Sequence, residues 1–147
     1  MARIAIGADH AGYGAKRALA EHLCKAGHYV HDLGTFSEEA VDYPDFAVAV
    51  ARCVASGEDE LGILLCGSGI GVSIVANKIT GIRAANCCTP LMAQLARQHN
   101  NANVLCIGAR LHPIEELLAI ADAFLASTFE GGRHARRVEK IHQLTGR

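Results

Sequence analysis

The chain has 147 residues, 50% of them hydrophobic and 20% charged, with a formal net charge of -1. That mixture supports a sizeable core within one domain spanning residues 1–147. The near-neutral balance excludes general binding to nucleic acid or to an anionic membrane surface, and an aromatic content of 5% with no Trp removes the stacking platforms that single-stranded nucleic acid uses.

In chain order, the amino-terminal apolar stretch is too short for a signal peptide, and Asp9 and His10 end it. Residues 3–7 read instead as a first strand, followed by a helix-like segment at 13–26 that Gly27 would stop. A second strand is expected at 29–33 and a second helix at 44–56, with Gly57 as its stop. A third strand at 62–66 runs into the glycine-rich stretch Cys66-Gly67-Ser68-Gly69-Ile70-Gly71 and a helix at 69–78. A fourth strand at 83–87 precedes Thr89-Pro90, a helix start, and a helix to His99. A fifth strand at 104–108 leads to a helix at 113–127, and a last helix runs from Arg133 to about Leu144. All five apolar runs read as buried strands. Strand–helix alternation of this kind predicts an α/β protein: a three-layer α/β/α, Rossmann-like fold around a five-stranded parallel sheet. No apolar run is long enough to span a bilayer.

Ligands of such sheets bind beyond the carboxyl ends of the strands. Asp9 and His10 follow the first strand, the glycine stretch the third, and Arg110 the fifth, so these groups are expected along one edge. The glycines at 67, 69 and 71 do not fit GxGxxG, and GxxxxGK[ST] is absent. What the loop retains is backbone N–H groups that can approach a ligand, at a helix start that favours negative charge. A tight turn without a ligand is the plain alternative.

The six cysteines, at 24, 53, 66, 87, 88 and 106, contain no CxxC and no zinc-finger spacing, which points to free thiols in a reducing, cytoplasmic setting. Cys24, Cys53 and Cys106 read as small buried hydrophobes. Cys66 differs because it ends a strand and abuts a helix start, where a thiolate is a usable base or nucleophile. Cys87-Cys88 shares that place without the glycines. Three histidines, His10, His99 and His134, sit in informative surroundings; His22, His28, His31, His112 and His142 read as structural or solvated. Arg133 and Arg137, four apart, share a helix face and can clamp a phosphate if they are more than a solvated basic face.

Together Gly7-Ala8-Asp9-His10-Ala11-Gly12, Asp42-Tyr43-Pro44, Cys66 to Gly71, Gly81-Ile82-Arg83-Ala84, Arg97-Gln98-His99-Asn100 and Gly131-Gly132-Arg133-His134 resemble, in order and over nearly the whole chain, the ribose-5-phosphate isomerase B and galactose-6-phosphate isomerase family. The resemblance implies interconversion of a phosphorylated aldose and ketose, ribose 5-phosphate and ribulose 5-phosphate in the closest case, with no metal or organic cofactor. It implies a homodimer or a dimer of dimers with sites at the subunit interface. Carried over by position, Cys66 is the base that moves a proton between C1 and C2, and His99 assists ring opening. Asp9, His10 and Asn100 contact the substrate, and Gly67, Ser68, Gly69, Ile70 and Gly71 hold the enediolate. Arg133 and Arg137 hold the phosphate, with Arg110 and His10 beside them. Position 68 is often Thr in the family, and either residue supplies the hydroxyl. Relatives that lack the cysteine use a Glu further along; here position 75 is Val. Three rival readings are isomerisation of allose or galactose 6-phosphate, a nucleotide-binding module without catalysis, and a cysteine-based redox or acyl-transfer enzyme, which would want a resolving Cys or a triad.

Overall fold

The computed structural model describes residues 1–147. Five strands, β1 (Arg3–Ala8), β2 (Tyr29–Asp32), β3 (Leu61–Cys66), β4 (Ala84–Asn86) and β5 (Val104–Gly108), form one sheet in the order β2-β1-β3-β5-β4. Every pairing is parallel. The helices are α1 (Tyr13–Lys25), α2 (Tyr43–Ala55), α3 (Ile70–Ala76), α4 (Pro90–Asn100), α5 (Ile114–Ala126) and α6 (Arg133–Thr145). The expected α/β/α architecture is present, and no helix is long and apolar enough to cross a membrane.

The two-residue period of a strand divides the core between the faces. Ile4, Ile6, Ile63, Leu65, Leu105 and Ile107 point to the face covered by α1, α4 and α5, where Leu19, Leu23, Leu117, Ile120 and Phe124 meet them. Ala5, Leu64, Cys66, Val104 and Cys106 point to the face covered by α2 and α3. This second face is built from smaller residues, so α2 approaches closely. Side chains at Gly7 or Gly62 would each bring a Cβ within 2.8 Å of Val50. Each fully buried Ile, Leu or Phe stabilises the fold by about 1.5–3 kcal/mol relative to exposure.

Sequence and structure part at the sheet edges. β2 and β4 are only half-buried, because each has a single neighbour in the sheet. Strand order, which the chain's local pattern does not encode, makes them edges. α3 is shorter than expected, and Pro113 caps α5 from extended backbone (ψ 158) rather than opening its first turn. The Thr89 start is present: its hydroxyl accepts the Met92 N–H at 3.1 Å. Gly27 and Gly57 lie just past their helices with φ of 93° and 81°, the left-handed stop that glycine adopts without strain. Cys106 is buried as expected, but Cys24 is exposed and Cys53 half-buried, since both lie on outer helix turns.

Because β1 feeds α1 on one face and β3 feeds α3 on the other, the chain diverges between their carboxyl ends. The crevice left there is the usual ligand position in an open parallel sheet.

Candidate active site

An open cleft of about 620 Å³ lies at that divergence, lined by Asp9, Tyr43, Cys66, Gly67, Ser68, Ile70, Gly71, Ile74, Arg110 and Leu111. The Cys66 side chain closes its floor and is only 5% exposed. Cys66 Sγ accepts the Gly69 N–H at 3.2 Å, and Ser68 Oγ accepts the Ile70 N–H at the same distance. The neighbouring amides of Gly67, Ser68 and Gly71 have no partner within the chain and line the cleft beside the sulfur. Asp9, 7% exposed, accepts the Gly12 N–H through Oδ1 at 3.2 Å, which fixes its carboxylate at the cleft wall. His10 stands next to it. Its Nδ1 accepts the Val41 N–H at 3.1 Å, so in the neutral ring the proton sits on Nε2.

The loop is held from both sides. Ala109 N–H donates to the Cys66 carbonyl at 2.8 Å and Arg110 N–H to the Gly67 carbonyl at 3.1 Å, extending the β3–β5 ladder past its last residues. Gly69 has φ of 78°, and a Cβ there would lie 2.9 Å from the Ile107 carbonyl carbon. Gly71 answers a packing need instead: a Cβ would lie 2.6 Å from the Tyr43 ring. At Gly67 the space is looser, and a Cβ would meet only the Arg110 side chain at 3.4 Å. Asn86 donates to the Ser68 carbonyl at 3.5 Å, while its buried Oδ1 has no partner. Tyr43, Ile74, Leu111 and Asn86 are site residues that reading the sequence did not single out. Tyr43 lay within a quoted motif, but no local signal ties it to Gly71.

His99, Asn100, Arg133 and Arg137 are not in this cleft. α4 starts beyond the carboxyl end of β4 and returns against the strand direction, so His99 and Asn100 lie at the amino edge of the sheet. Arg83, just ahead of β4, donates through Nε to the Asn101 carbonyl at 2.8 Å and marks that edge. There His99 stacks on His134 with ring centroids 4.2 Å apart and planes 9° from parallel. Glu130 Oε1 lies 3.6 Å from His99 Nε2 and 3.7 Å from His134 Nε2. Desolvation, then the neighbouring His99 and Arg133, hold His134 below the usual histidine range. Arg133 and Arg137 are exposed on the adjacent turns of α6. Eleven residues of α4 rise about 16 Å, so one chain cannot bring its own His99 to its own Cys66.

Two side-chain clusters have donors that a metal could use: His99–Glu130–His134 and His31–Cys53–Asp59. In the first, the parallel rings run the nitrogen lone pairs side by side rather than toward one point, which suits proton sharing with Glu130 better than coordination. The cleft offers one thiol, one carboxylate, one guanidinium and a set of free amides. That combination can abstract a proton from carbon and hold the resulting oxyanion.

A family model described as Ribose/Galactose Isomerase matches residues 4–141. Ribose-5-phosphate isomerase B of Escherichia coli (strain K12) is 49% identical over 147 residues, covering 100% of this chain and 99% of its own. The solved structure of Clostridium thermocellum ribose-5-phosphate isomerase B is 49% identical, with a TM-score of 0.96 over 98% of this chain and 97% of that one. The Mycoplasma genitalium ribose-5-phosphate isomerase B, solved with bound ribulose-5-phosphate, is 45% identical, with a TM-score of 0.94 over 98% and 96% of the two chains.

Proposed function

The chain belongs to the ribose/galactose isomerase family, and from that premise we propose that it interconverts ribose 5-phosphate and ribulose 5-phosphate, with Cys66 as the carbon base. The observation that carries this reading is the Cys66 sulfur at the cleft floor, beside the unpartnered amides of Gly67, Ser68 and Gly71. In the open-chain aldose, Cys66 Sγ would take the proton from C2. The electron pair would pass to the C1 carbonyl oxygen, giving an enediolate that the loop amides hold. Return of the carbon proton at C1 and transfer of the O2 hydroxyl proton to O1 complete the ketose. Asp9 and His10 would hold the sugar hydroxyls from the opposite wall, and the Ser68 hydroxyl would add one donor.

His99, Asn100, Arg133 and Arg137 would reach this cleft from a second copy of the chain. Two observations support this. Within one chain they lie at the opposite edge of the sheet from Cys66. In addition, Ile70 and Ile74 of α3 and Leu91, Met92 and Leu95 of α4 leave apolar side chains exposed on the faces flanking β4. A two-fold pairing of those faces runs the partner's α4 antiparallel to this one and carries its amino-edge end to this carboxyl edge. His99 of the partner subunit would then protonate the ring oxygen, and the two arginines would grip the phosphate bidentately.

The test is complementation. Cys66→Ala and His99→Ala are each inactive as homodimers, and mixing them with subunit exchange restores about a quarter of wild-type turnover, because half the dimers are mixed and each has one intact site. No recovery would mean that both residues act within one chain, and activity in either homodimer alone would mean that the residue replaced there is not needed. Running ribose 5-phosphate beside allose 6-phosphate and galactose 6-phosphate separates the pentose from the hexose reading.

A further inference from the structure

We propose that His31, Cys53 and Asp59 form a binding site for one divalent transition-metal ion, zinc by the chemistry of the donors, remote from the cleft. The three come from separate parts of the fold: β2, the last turns of α2, and the turn leading into β3. His31 is in register with Ala5, whose side chain faces α2, so the histidine is directed toward the helix that carries Cys53. The three ligand atoms lie within 4.8 Å of one another. His31 Nδ1 and Asp59 Oδ2 are 2.7 Å apart. A tetrahedral ion with bonds of about 2.0–2.3 Å spaces its ligand atoms roughly 3.3–3.8 Å apart. The His–Asp pair lies just inside that spacing, and all three ligand atoms fall within 4.8 Å of one another, so small side-chain rotations can bring them around one ion.

A second observation is independent of the clustering. Asp59 is 1% exposed, yet its Oδ1 accepts no hydrogen bond. The closest cation to that oxygen is the half-exposed Arg3 guanidinium at 3.9 Å, whose Nε already donates to the Glu58 carbonyl at 3.1 Å. A buried carboxylate oxygen without a partner is costly, and a cation held by that carboxylate removes the cost. On binding, the thiol proton leaves to solvent and the sulfur lone pair goes to the metal; the proton shared by His31 Nδ1 and Asp59 Oδ2 is given up and the neutral ring carries its proton on Nε2, which frees the Nδ1 lone pair and the carboxylate oxygen for the ion, with no change of oxidation state.

One nitrogen, one sulfur and one oxygen match zinc and cobalt, whereas calcium and magnesium favour all-oxygen sets. His31 and Cys53 are half-buried, so a water can take the fourth position. The ion would clasp edge strand β2 to α2 and to the start of β3. Its consequence is stability, not turnover.

Metal-free, reduced full-length protein is titrated with Co²⁺ as a spectroscopic probe and with Zn²⁺ for thermal melts. The expected result is one Co²⁺ per chain with a thiolate-to-cobalt charge-transfer band, and a Tm raised by roughly 5–10 °C at a hundredfold excess of Zn²⁺ over its Kd. Cys53→Ser, at a half-exposed position that leaves the core intact, removes the band and most of the Tm shift. Cys66→Ala keeps both. Absence of the band in the wild type, its survival in Cys53→Ser, or a Zn²⁺ shift abolished instead by His134→Ala would overturn the proposal. Isomerase turnover of metal-free Cys53→Ser stays at the wild-type level, so failure here and failure of the isomerase reading are read from different measurements.

Discussion

The carboxyl edge of the sheet and its amino edge hold the two halves of the proposed machinery by different means. At the carboxyl edge the backbone governs. Cys66 is fixed by strand β3, its sulfur accepts a loop amide, and the loop is tied down by ladder hydrogen bonds from Ala109 and Arg110. At the amino edge the side chains govern. His99 is placed by stacking on His134 and by Glu130, in the last turn of α4, and the two arginines project from exposed turns. The proposed carbon base and oxyanion donors, which need sub-ångström placement, sit on the rigid sheet. The groups proposed to open the ring and grip the phosphate sit where a second copy would bring them.

Substitutions at the two edges should therefore fail differently. The largest effect is expected from Cys66→Ala. Loss of the carbon base lowers kcat by at least about 10²–10⁴-fold while the circular dichroism melt stays close to wild type; substantial turnover would move the base elsewhere. Next comes Gly69→Ala. The left-handed φ and the Cβ contact with the Ile107 backbone cost at least about 1–2 kcal/mol of stability, and the displaced amides lower kcat by roughly 10²-fold. Gly67→Ala is its internal control, since the added Cβ meets only the flexible Arg110 side chain. A Gly67 variant as impaired as the Gly69 variant would show that open space for ligand, not backbone conformation, is what the loop glycines provide.

At the amino edge, Arg137→Ala is expected to raise KM about 10–100-fold with little change in kcat, because a phosphate grip acts in ground and transition states alike. Its melt should move by less than about 0.5 kcal/mol. An unchanged KM would place the phosphate elsewhere. The smallest effect concerns the core behind both edges. Burial first, and Cys88 second, hold the Cys87 thiol at about 11, against an ordinary value of 9.0. The folded state thus keeps a proton that the unfolded chain releases. Its stabilising effect is complete below about pH 9 and is lost as the pH rises toward 11. Tm measured at pH 8 and pH 10 should fall, and Cys87→Ala should flatten the slope.

Most of the carboxyl edge is legible in the sequence. A cysteine ending an apolar run, followed by alternating glycines, is a local pattern, and Asp9 and Arg110 share its position relative to their own strands. The partners that shape that loop were not legible. Tyr43 and Asn86 reach it from α2 and β4, distant in sequence, through contacts that no periodicity reports. The same holds for Asp59, whose buried carboxylate reads in the sequence as one more charge in an exposed turn.

The chain by itself determined the element types, their order and the parallel sheet, because hydrophobic period, glycine stops and proline starts are short-range signals. It also determined that Cys66 and the glycines share one strand end. Only the tertiary structure decided which residues become sheet edges and that His99 and Cys66 lie at opposite edges of the sheet. The reason is geometric: a crossover helix reverses the chain's direction, so a residue at the end of a helix and a residue at the end of a strand fall on opposite edges of a parallel sheet however near they are in sequence.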